Sequence, residues 1–551
     1  MVLKFNFLYN SNNSNLLFFL ENIVNQSALE YKLLKKEAIE LYVQGNEEEL
    51  ISFSNELSSS LPMSIFLKNS TAEVVPQIPT EENTTFKLEE LNLPFCSSCL
   101  KKVEDSTKLD NFYNPFVSCT ICGTTCDVKE LKLLKNNISI EIKDNKELFE
   151  KVASLINEDK SIKIKTLSGE FIFKKFNPSL ENNTILCTNL ENISKVFVAS
   201  KAEVVALASI EKPSIDLRIN EVFKLSNNVK QEILNVRFVN DLILYLISKE
   251  LEKYNIDFLS YDKTSLYDYE VTFEGIVKPL DILKVKILEN DTVILESNSY
   301  DKTLDTIYSK FKEESKGHFM VLLHEYDFYE KAILNFYSSS KNDDNIILYS
   351  KEIDGFLDIV KYELPQSINE IFETLKSDEV ATRLVDNYKN KFPNEYEIAL
   401  SCDISSLKEN SIYSYWKIVS VILGFTSKIE QNNILLEKAM ACVLEKGPRI
   451  DYKLKESDKI FNRNFLLYKL IQSGMSFKLA GVDDNTLALG YIESFAHYIA
   501  TLVDDINNEV TLDGISLTGD IFTNTLISKL VHKSITKNFK IYYNKDFVIQ
   551  K

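Results

Sequence analysis

Cys96-Ser97-Ser98-Cys99-Leu100 and, after nineteen intervening residues, Cys119-Thr120-Ile121-Cys122-Gly123, led in by Tyr113-Asn114-Pro115-Phe116, carry the sharpest chemical signal in the chain. A CxxC turn presents two thiolates side by side, and two such turns close a tetrahedral shell around a soft, redox-inert ion such as zinc. Four sulfurs leave no coordination position for water, so an ion held by Cys96, Cys99, Cys119 and Cys122 is structural rather than catalytic. Two other readings compete with metal binding. A disulfide pair needs an oxidising compartment, and a thioredoxin-like redox motif uses a single CxxC beside a βαβ unit.

At 551 residues the chain is long enough for several domains and needs no covalent staples. Of its 8 cysteines, Cys187, Cys402 and Cys442 are scattered through apolar stretches far from the quartet, a usage that fits a reducing cytoplasm. The N-terminal region has Lys4 and a short apolar run, Leu16–Leu20, but no h-region and no small-residue cleavage site, so no signal peptide is expected. No window approaches the roughly 18 apolar residues of a membrane span, which predicts a protein without direct membrane insertion. The formal net charge of -18 argues against a nucleic-acid partner, because phosphate backbones are bound by clustered Lys and Arg. Only 13 glycines are present, which limits the backbone nests that cradle phosphates.

Working outward from the cysteines, residues 1–77 predict strand Leu3–Leu8, helix Leu16–Asn25, strands Tyr31–Lys35 and Ala38–Val43, helix Glu47–Ser58 and strand Glu73–Val75. That is the βαββαβ order of a split-βαβ, ferredoxin-type domain. Residues 78–92 read as a polar linker and 90–132 as the zinc module. Residues 136–290 alternate between strands and helices, with Ile138–Ile142, helix Lys146–Asn157, Ile162–Leu167 and helix Asn240–Tyr254, which predicts an α/β domain. Residues 291–551 form the last domain. It opens on strands Thr292–Glu296 and Met320–His324 and becomes helix-rich after Ser367, with a long helix at Leu487–Asp504. The sole tryptophan, Trp416, stands with Tyr413 and Tyr415 in an apolar neighbourhood, which predicts core.

The segment from Cys96 to Gly123 resembles the zinc-finger region of HypF, the carbamoyltransferase family of [NiFe]-hydrogenase maturation, which carries CxxCL and then YPFxNCxxCG. Here the loop is one residue longer, and the family's second CxxC pair set is missing. Three further stretches are similar and collinear. Ala38 to Gly45 (AIELYVQG) resembles part of an acylphosphatase-like domain. Lys146–Gly169 and Ala206–Pro213 (ALASIEKP) resemble parts of a YrdC-like nucleotide-binding domain. Leu517–Asn524 (LTGDIFTN) resembles the Gly-Gly motif of a Kae1-like, actin-type domain. The resemblance implies a modular α/β (α+β) protein that binds ATP through Lys165 and Gly169, and a second nucleotide through Gly519. In the family these sites convert carbamoyl phosphate into the precursor of a cyanide ligand.

The departures from the family pattern bear on chemistry. The stretch Asn13-Ser14-Asn15-Leu16-Leu17 has no glycine and a leucine where the family has arginine, and no arginine occurs before Arg218. Ser168 and Glu170 flank Gly169, and Lys174-Lys175 replace a Lys-x-Arg stretch. His324 has Phe328 at i+4 instead of a second histidine, leaving His318 and Asp327 as the nearest partners for a metal. Asp520 replaces the second glycine of the Gly-Gly turn, and Val548–Lys551 falls where the family continues into a metal-ligand Asn-Asp-Gly-Gly stretch. The expectation is a cytoplasmic, zinc-containing accessory factor in hydrogenase maturation, a pseudoenzyme with no catalytic residue to name, that binds a hydrogenase subunit or another maturation protein. The alternatives are an active carbamoyltransferase and a zinc-ribbon adaptor unrelated to hydrogenase.

Overall fold

The computed structural model describes residues 1–85, 93–179, 184–288, 291–297, 301–353, 355–457 and 459–551. The chain divides into two compact units, Met1–Ile287 and Asp301–Lys551, with the intervening stretch split between them.

The first unit opens with a four-stranded antiparallel sheet. Strands Glu30–Lys35, Ile39–Gln44, Val2–Tyr9 and Leu67–Val75 lie side by side in that order. Helices Asn15–Ser27 and Glu47–Ser60 complete the predicted βαββαβ order. The first helix buries every residue from Asn15 to Leu20, together with Ile23 and Val24. The second is fixed by a reciprocal cap, in which the Glu49 amide donates to Asn46 and the Asn46 amide donates to the Glu49 carboxylate, at 3.0 and 2.8 Å. Such a cap contributes about 1 kcal/mol. The fourth strand is longer than the three residues expected because its polar stretch is exposed on both faces and shows no alternation.

The stretch read as a linker departs from that expectation at its start. Asn83 and Thr84 accept hydrogen bonds from the Leu33 and Lys35 amides, and the Thr84 amide donates to Leu33 O, so the chain covers the edge strand Glu30–Lys35. Covering an edge removes a template for pairing with other chains. Residues 86–92 of the expected linker lie outside the described residues.

A twelve-stranded mixed sheet forms the rest of this unit. Strand Cys126–Lys135 pairs antiparallel with Tyr269–Val277, which runs parallel to Ile162–Thr166, so the cysteine module feeds directly into the α/β sheet. Helices Asn145–Asn157 and Leu242–Leu251 cover it with Leu148, Phe149, Val152, Leu246 and Ile247 in the core.

In the second unit, strands Gly355–Lys361, Asn345–Ser350 and Ile333–Tyr337 run antiparallel, and Ile333–Tyr337 then pairs parallel with Gly514–Thr518. A group of helices between residues 368 and 509 supplies most of the core, where Trp416 is wholly buried and its Nε1–H donates to Tyr452 Oη at 2.8 Å. One expectation fails here. Met320–His324 is not a strand but part of helix Glu314–Glu325. Its Phe319, Val321, Leu322 and Leu323 are all buried, so the helix is apolar on most sides, and a short apolar run then reads equally well as strand.

Candidate metal centre and candidate ligand turns

Helix Ser97–Glu104 starts at Cys96 in the N-cap position, which brings Cys99 back over the first turn. The second pair is turned by Gly123 at φ 70°, and the Cys119 amide donates to Thr124 O at 3.0 Å. The four sulfurs lie within 4.8 Å of one another, with Cys96–Cys119 at 3.7 Å, Cys99–Cys122 at 3.6 Å and Cys96–Cys99 at 3.9 Å. A tetrahedral ion with metal–sulfur bonds of about 2.3 Å requires sulfur separations of about 3.8 Å. The quartet therefore has the dimensions of a filled thiolate shell and is far too open for disulfide bonds, which need about 2.05 Å. All four residues are buried. Hydrogen bonds among the four thiols push Cys119 far below its ordinary range, Cys122 being the first cause, and push Cys96 and Cys99 far above theirs, Cys119 being the first cause, so a metal that binds all four must displace protons. Cys126 stays outside the cluster, and burial pushes its thiol up to about 11.

The cysteine module is bonded to the helix behind it. Tyr113 Oη donates to Glu250 at 2.5 Å, Tyr245 Oη and Lys249 Nζ donate to Glu104 at 2.5 and 2.7 Å, and the Phe116 ring meets Phe273 edge-on at 4.9 Å. The Ala206–Pro213 segment does similar work for the first sheet. Glu211 is buried and accepts from Ser64 Oγ at 2.6 Å and the Ile65 amide at 3.1 Å, and the Ile210 amide donates to Met63 O. Burial pushes the Glu211 carboxyl up and the adjacent Lys212 amine down to about 8.

The residues expected to hold nucleotide lie on a tight hairpin. Thr166 pairs with Gly169 across the Leu167–Ser168 turn, and Gly169 adopts φ 117°, which favours glycine. Lys165 Nζ donates to Phe273 O at 2.9 Å and lies over the Phe273 ring. Lys163 is taken by Glu170 and Glu270 at 2.8 and 3.2 Å. The lysines of this strand are thus committed to groups of the protein itself.

The turn after strand Gly514–Thr518 carries Gly519 at φ 91°, where an added Cβ would lie 2.2 Å from Ser338 O. Close approach of two backbones, rather than φ alone, demands glycine at this position. Asp520 follows, and its carboxylate accepts from the Ser340 amide at 2.9 Å and from Ser340 Oγ. A carboxylate thus occupies both donors of Ser340, at the end of the Ser338–Ser340 turn. Asp344, buried beneath the same turn, accepts from the Ser339 and Ile412 amides, and burial pushes its carboxyl up to about 7.

The N-terminal loop has the opposite polarity to an anion nest. Lys35 Nζ donates to the carbonyls of Asn12 and Asn13, so carbonyl oxygens rather than N–H groups converge there. The histidines expected as metal partners do not assemble. His318 is wholly buried with neither ring nitrogen bonded, whereas His324 is bonded to Tyr329 Oη at 2.7 Å. Among the described residues only the four cysteines form a cluster with metal-ligand geometry. Sequence reasoning missed Glu325, which accepts from Asn544 Nδ2 and from the amides of Lys545, Asp546 and Phe547, because those partners are over two hundred residues away.

No protein-family profile matches the chain. The protein named HydE of Wolinella succinogenes is 24% identical over 528 residues, covering 91% of this chain and 90% of that protein. The crystal structure of full-length HypF in its phosphate- and nucleotide-bound form aligns with a TM-score of 0.60 at 12% identity, covering 100% of this chain and 96% of that one. HypF of T. kodakarensis aligns with a TM-score of 0.59 at 12% identity, over 99% and 96%. The chain therefore has the multi-domain α/β architecture of HypF along its whole length, and its cysteine cluster fits the zinc-ribbon module of that architecture.

Proposed function

We propose that this protein acts in [NiFe]-hydrogenase maturation as a HypF-like scaffold, without full carbamoyltransferase activity, by binding a hydrogenase subunit or another maturation protein in the cytoplasm. The full-length likeness to HypF and to the protein named HydE supports the maturation role. The observation that carries the loss of activity is the Asp520 carboxylate on the Ser340 donors, at the turn where the resemblance expects nucleotide. A fixed negative charge there repels a phosphate and uses up its hydrogen bonds. The commitments of Lys163 and Lys165, and the carbonyl-lined N-terminal loop, act in the same direction. We assign zinc to Cys96, Cys99, Cys119 and Cys122 as a structural ion, since the donor set is soft and closed.

Among the described residues no helix is long and apolar enough to cross a membrane. The reading is tested with the folded, zinc-loaded protein. Carbamoyl-phosphate-dependent ATP turnover should be absent, and affinity capture from the native cell should recover a hydrogenase subunit or maturation protein. ATP turnover that is lost on Lys165→Ala would establish the enzyme instead. A deletion strain with normal hydrogenase activity and normal cofactor insertion would overturn the maturation role.

A further inference from the structure

Residues 446–469 carry seven Lys and Arg against three Asp and Glu, a local excess of positive charge in a chain whose formal net charge is -18. Two of the chain's five arginines, Arg449 and Arg463, come together here with Lys453 around a cavity of about 180 Å³ in the second unit. Asp451 and Asp505 line the same cavity.

Backbone contacts fix its walls. One wall is a face of helix Asp484–Glu509, on which Ser494, Tyr498 and Asp505 recur at helical spacing. The other is the extended segment 449–454. The Gly447 amide donates to Glu493 at 3.0 Å and the Ile450 amide to Ser494 Oγ at 2.8 Å, and a Cβ on Gly447 would lie 2.2 Å from Gly490 N, so the start of the segment is pressed onto the helix. The Leu466 amide donates to Lys453 O and the Lys455 amide to Asn464 O, which sets Arg463 beside the same segment.

The charges around this cavity do not meet one another. Among the described residues the side chains of Arg449, Lys453, Arg463, Asp451 and Asp505 take part in no ion pair and no hydrogen bond, and Arg463 Nε is buried without an acceptor. A simple anion entering the cavity would meet two carboxylates, and a simple cation three positive charges, so each is opposed by part of the lining. A molecule that carries both signs answers both. The volume is well below the roughly 300–1,000 Å³ of pockets that hold drug-sized ligands, so it suits a single amino acid rather than a nucleotide. With three cations against two carboxylates, the lining favours a ligand of net negative charge.

We propose that this cavity binds an acidic free amino acid, glutamate or aspartate, with its carboxylates on Arg449 and Arg463 and its ammonium facing Asp451 and Asp505. A guanidinium matches a carboxylate through two parallel N–H···O bonds, which gives the arginine side of the site its specificity. Arg449, Asp451 and Asp505 are exposed at the rim, so the ligand exchanges with solvent without rearrangement of the fold. The inference is independent of the maturation role, and it involves neither the Lys165–Gly169 hairpin nor the Gly519 turn.

The test uses full-length, zinc-loaded protein titrated calorimetrically with L-glutamate, L-aspartate and N-acetyl-L-glutamate, which lacks the ammonium, at matched ionic strength. The expected result is saturable one-to-one binding of glutamate or aspartate. Binding should be weakened at least about tenfold for N-acetyl-L-glutamate, and by a similar factor for glutamate in Arg463→Gln. The double variant Asp451→Asn/Asp505→Asn should lose the preference for glutamate over its N-acetyl derivative. Absence of saturable binding of both amino acids overturns the inference. So does N-acetyl-L-glutamate that binds as tightly as glutamate, which marks an anion site only, or an unchanged dissociation constant in Arg463→Gln. Should Arg463→Gln fail to fold, the double variant, whose changed residues are both exposed, decides in its place, and an unchanged preference there overturns the inference.

Discussion

Removing the zinc proposed for the cysteine quartet should unfold the module that carries it and expose one face of the helix behind. The loop between the two cysteine pairs has nineteen residues, and ordering them costs on the order of 23 kcal/mol at the low end of the per-residue range. Val103, Tyr113 and Val117 are the buried apolar side chains of that loop, and together they return about 5–9 kcal/mol. The deficit is about the size of the 10–16 kcal/mol that zinc–thiolate binding supplies. Chelated protein, or a Cys119→Ser variant, should therefore lose amide protection across residues 97–123. It should also lose part of its protection on helix Leu242–Leu251, whose Tyr245, Lys249 and Glu250 are bonded to the module. The first sheet should keep its protection. Hydrogen exchange read by mass spectrometry, with metal content measured on the same sample by native mass spectrometry, checks both halves. Verified metal-free protein with unchanged exchange in residues 97–123 would refute the reasoning.

Three further outcomes can be checked. Glu211→Ala leaves Ser64 Oγ and the Ile65 amide without their acceptor, so limited proteolysis should cut residues 61–66 faster, with a loss of about 2 kcal/mol in protection. Asp520→Gly strips the Ser340 amide and hydroxyl of theirs, and denaturant unfolding should fall by about 1–3 kcal/mol, whereas Asp520→Asn, which keeps an acceptor oxygen, should stay closer to wild type. Burial and the Asp546 charge push Glu325 up to about 7 from 4.5. A carboxyl raised in the folded state contributes stability that is present below pH 4.5 and lost as pH rises through 7. The second unit should thus weaken by about 3 kcal/mol across that window, and urea titrations of Glu325→Gln should lack this slope.

What the sequence disclosed depended on how local the determining interactions are. The βαββαβ order was legible where an element carries its own period, as in Ile39, Leu41 and Val43 alternating along strand Ile39–Gln44, whereas the last strand, without alternation, was read too short. The cysteine quartet was legible because ligand spacing within each pair is set by a single turn. The helix Glu314–Glu325 was misread because burial on most sides erased its period. The fate of Lys165 was hidden because its acceptor, Phe273 O, comes from a strand more than a hundred residues away. The isolation of Arg463 was equally hidden, since no local pattern tells whether a guanidinium meets an acceptor. Asp520 was conspicuous as a misfit in a glycine turn, and the structure supplied its partner, Ser340, which no spacing rule connects to it.

The parallel pairing of Ile333–Tyr337 with Gly514–Thr518 has a consequence for the order of folding. Asn335 Oδ1 accepts from the hydroxyls of Ser516 and Thr518, so the central seam of the second unit is closed by residues 181 and 183 positions apart. Loop closure over such a span is slow and entropically unfavourable for a disordered chain. Helices between residues 368 and 509 lie within that span, and their condensation ahead of the seam would shorten it. On the ribosome, the hairpin formed by Ile333–Tyr337 and Asn345–Ser350 must then wait with one edge unpaired until residue 518 has emerged. In that interval the nascent chain presents an apolar strand to its surroundings, and chaperone demand during synthesis should be set by this unit rather than by the cysteine module.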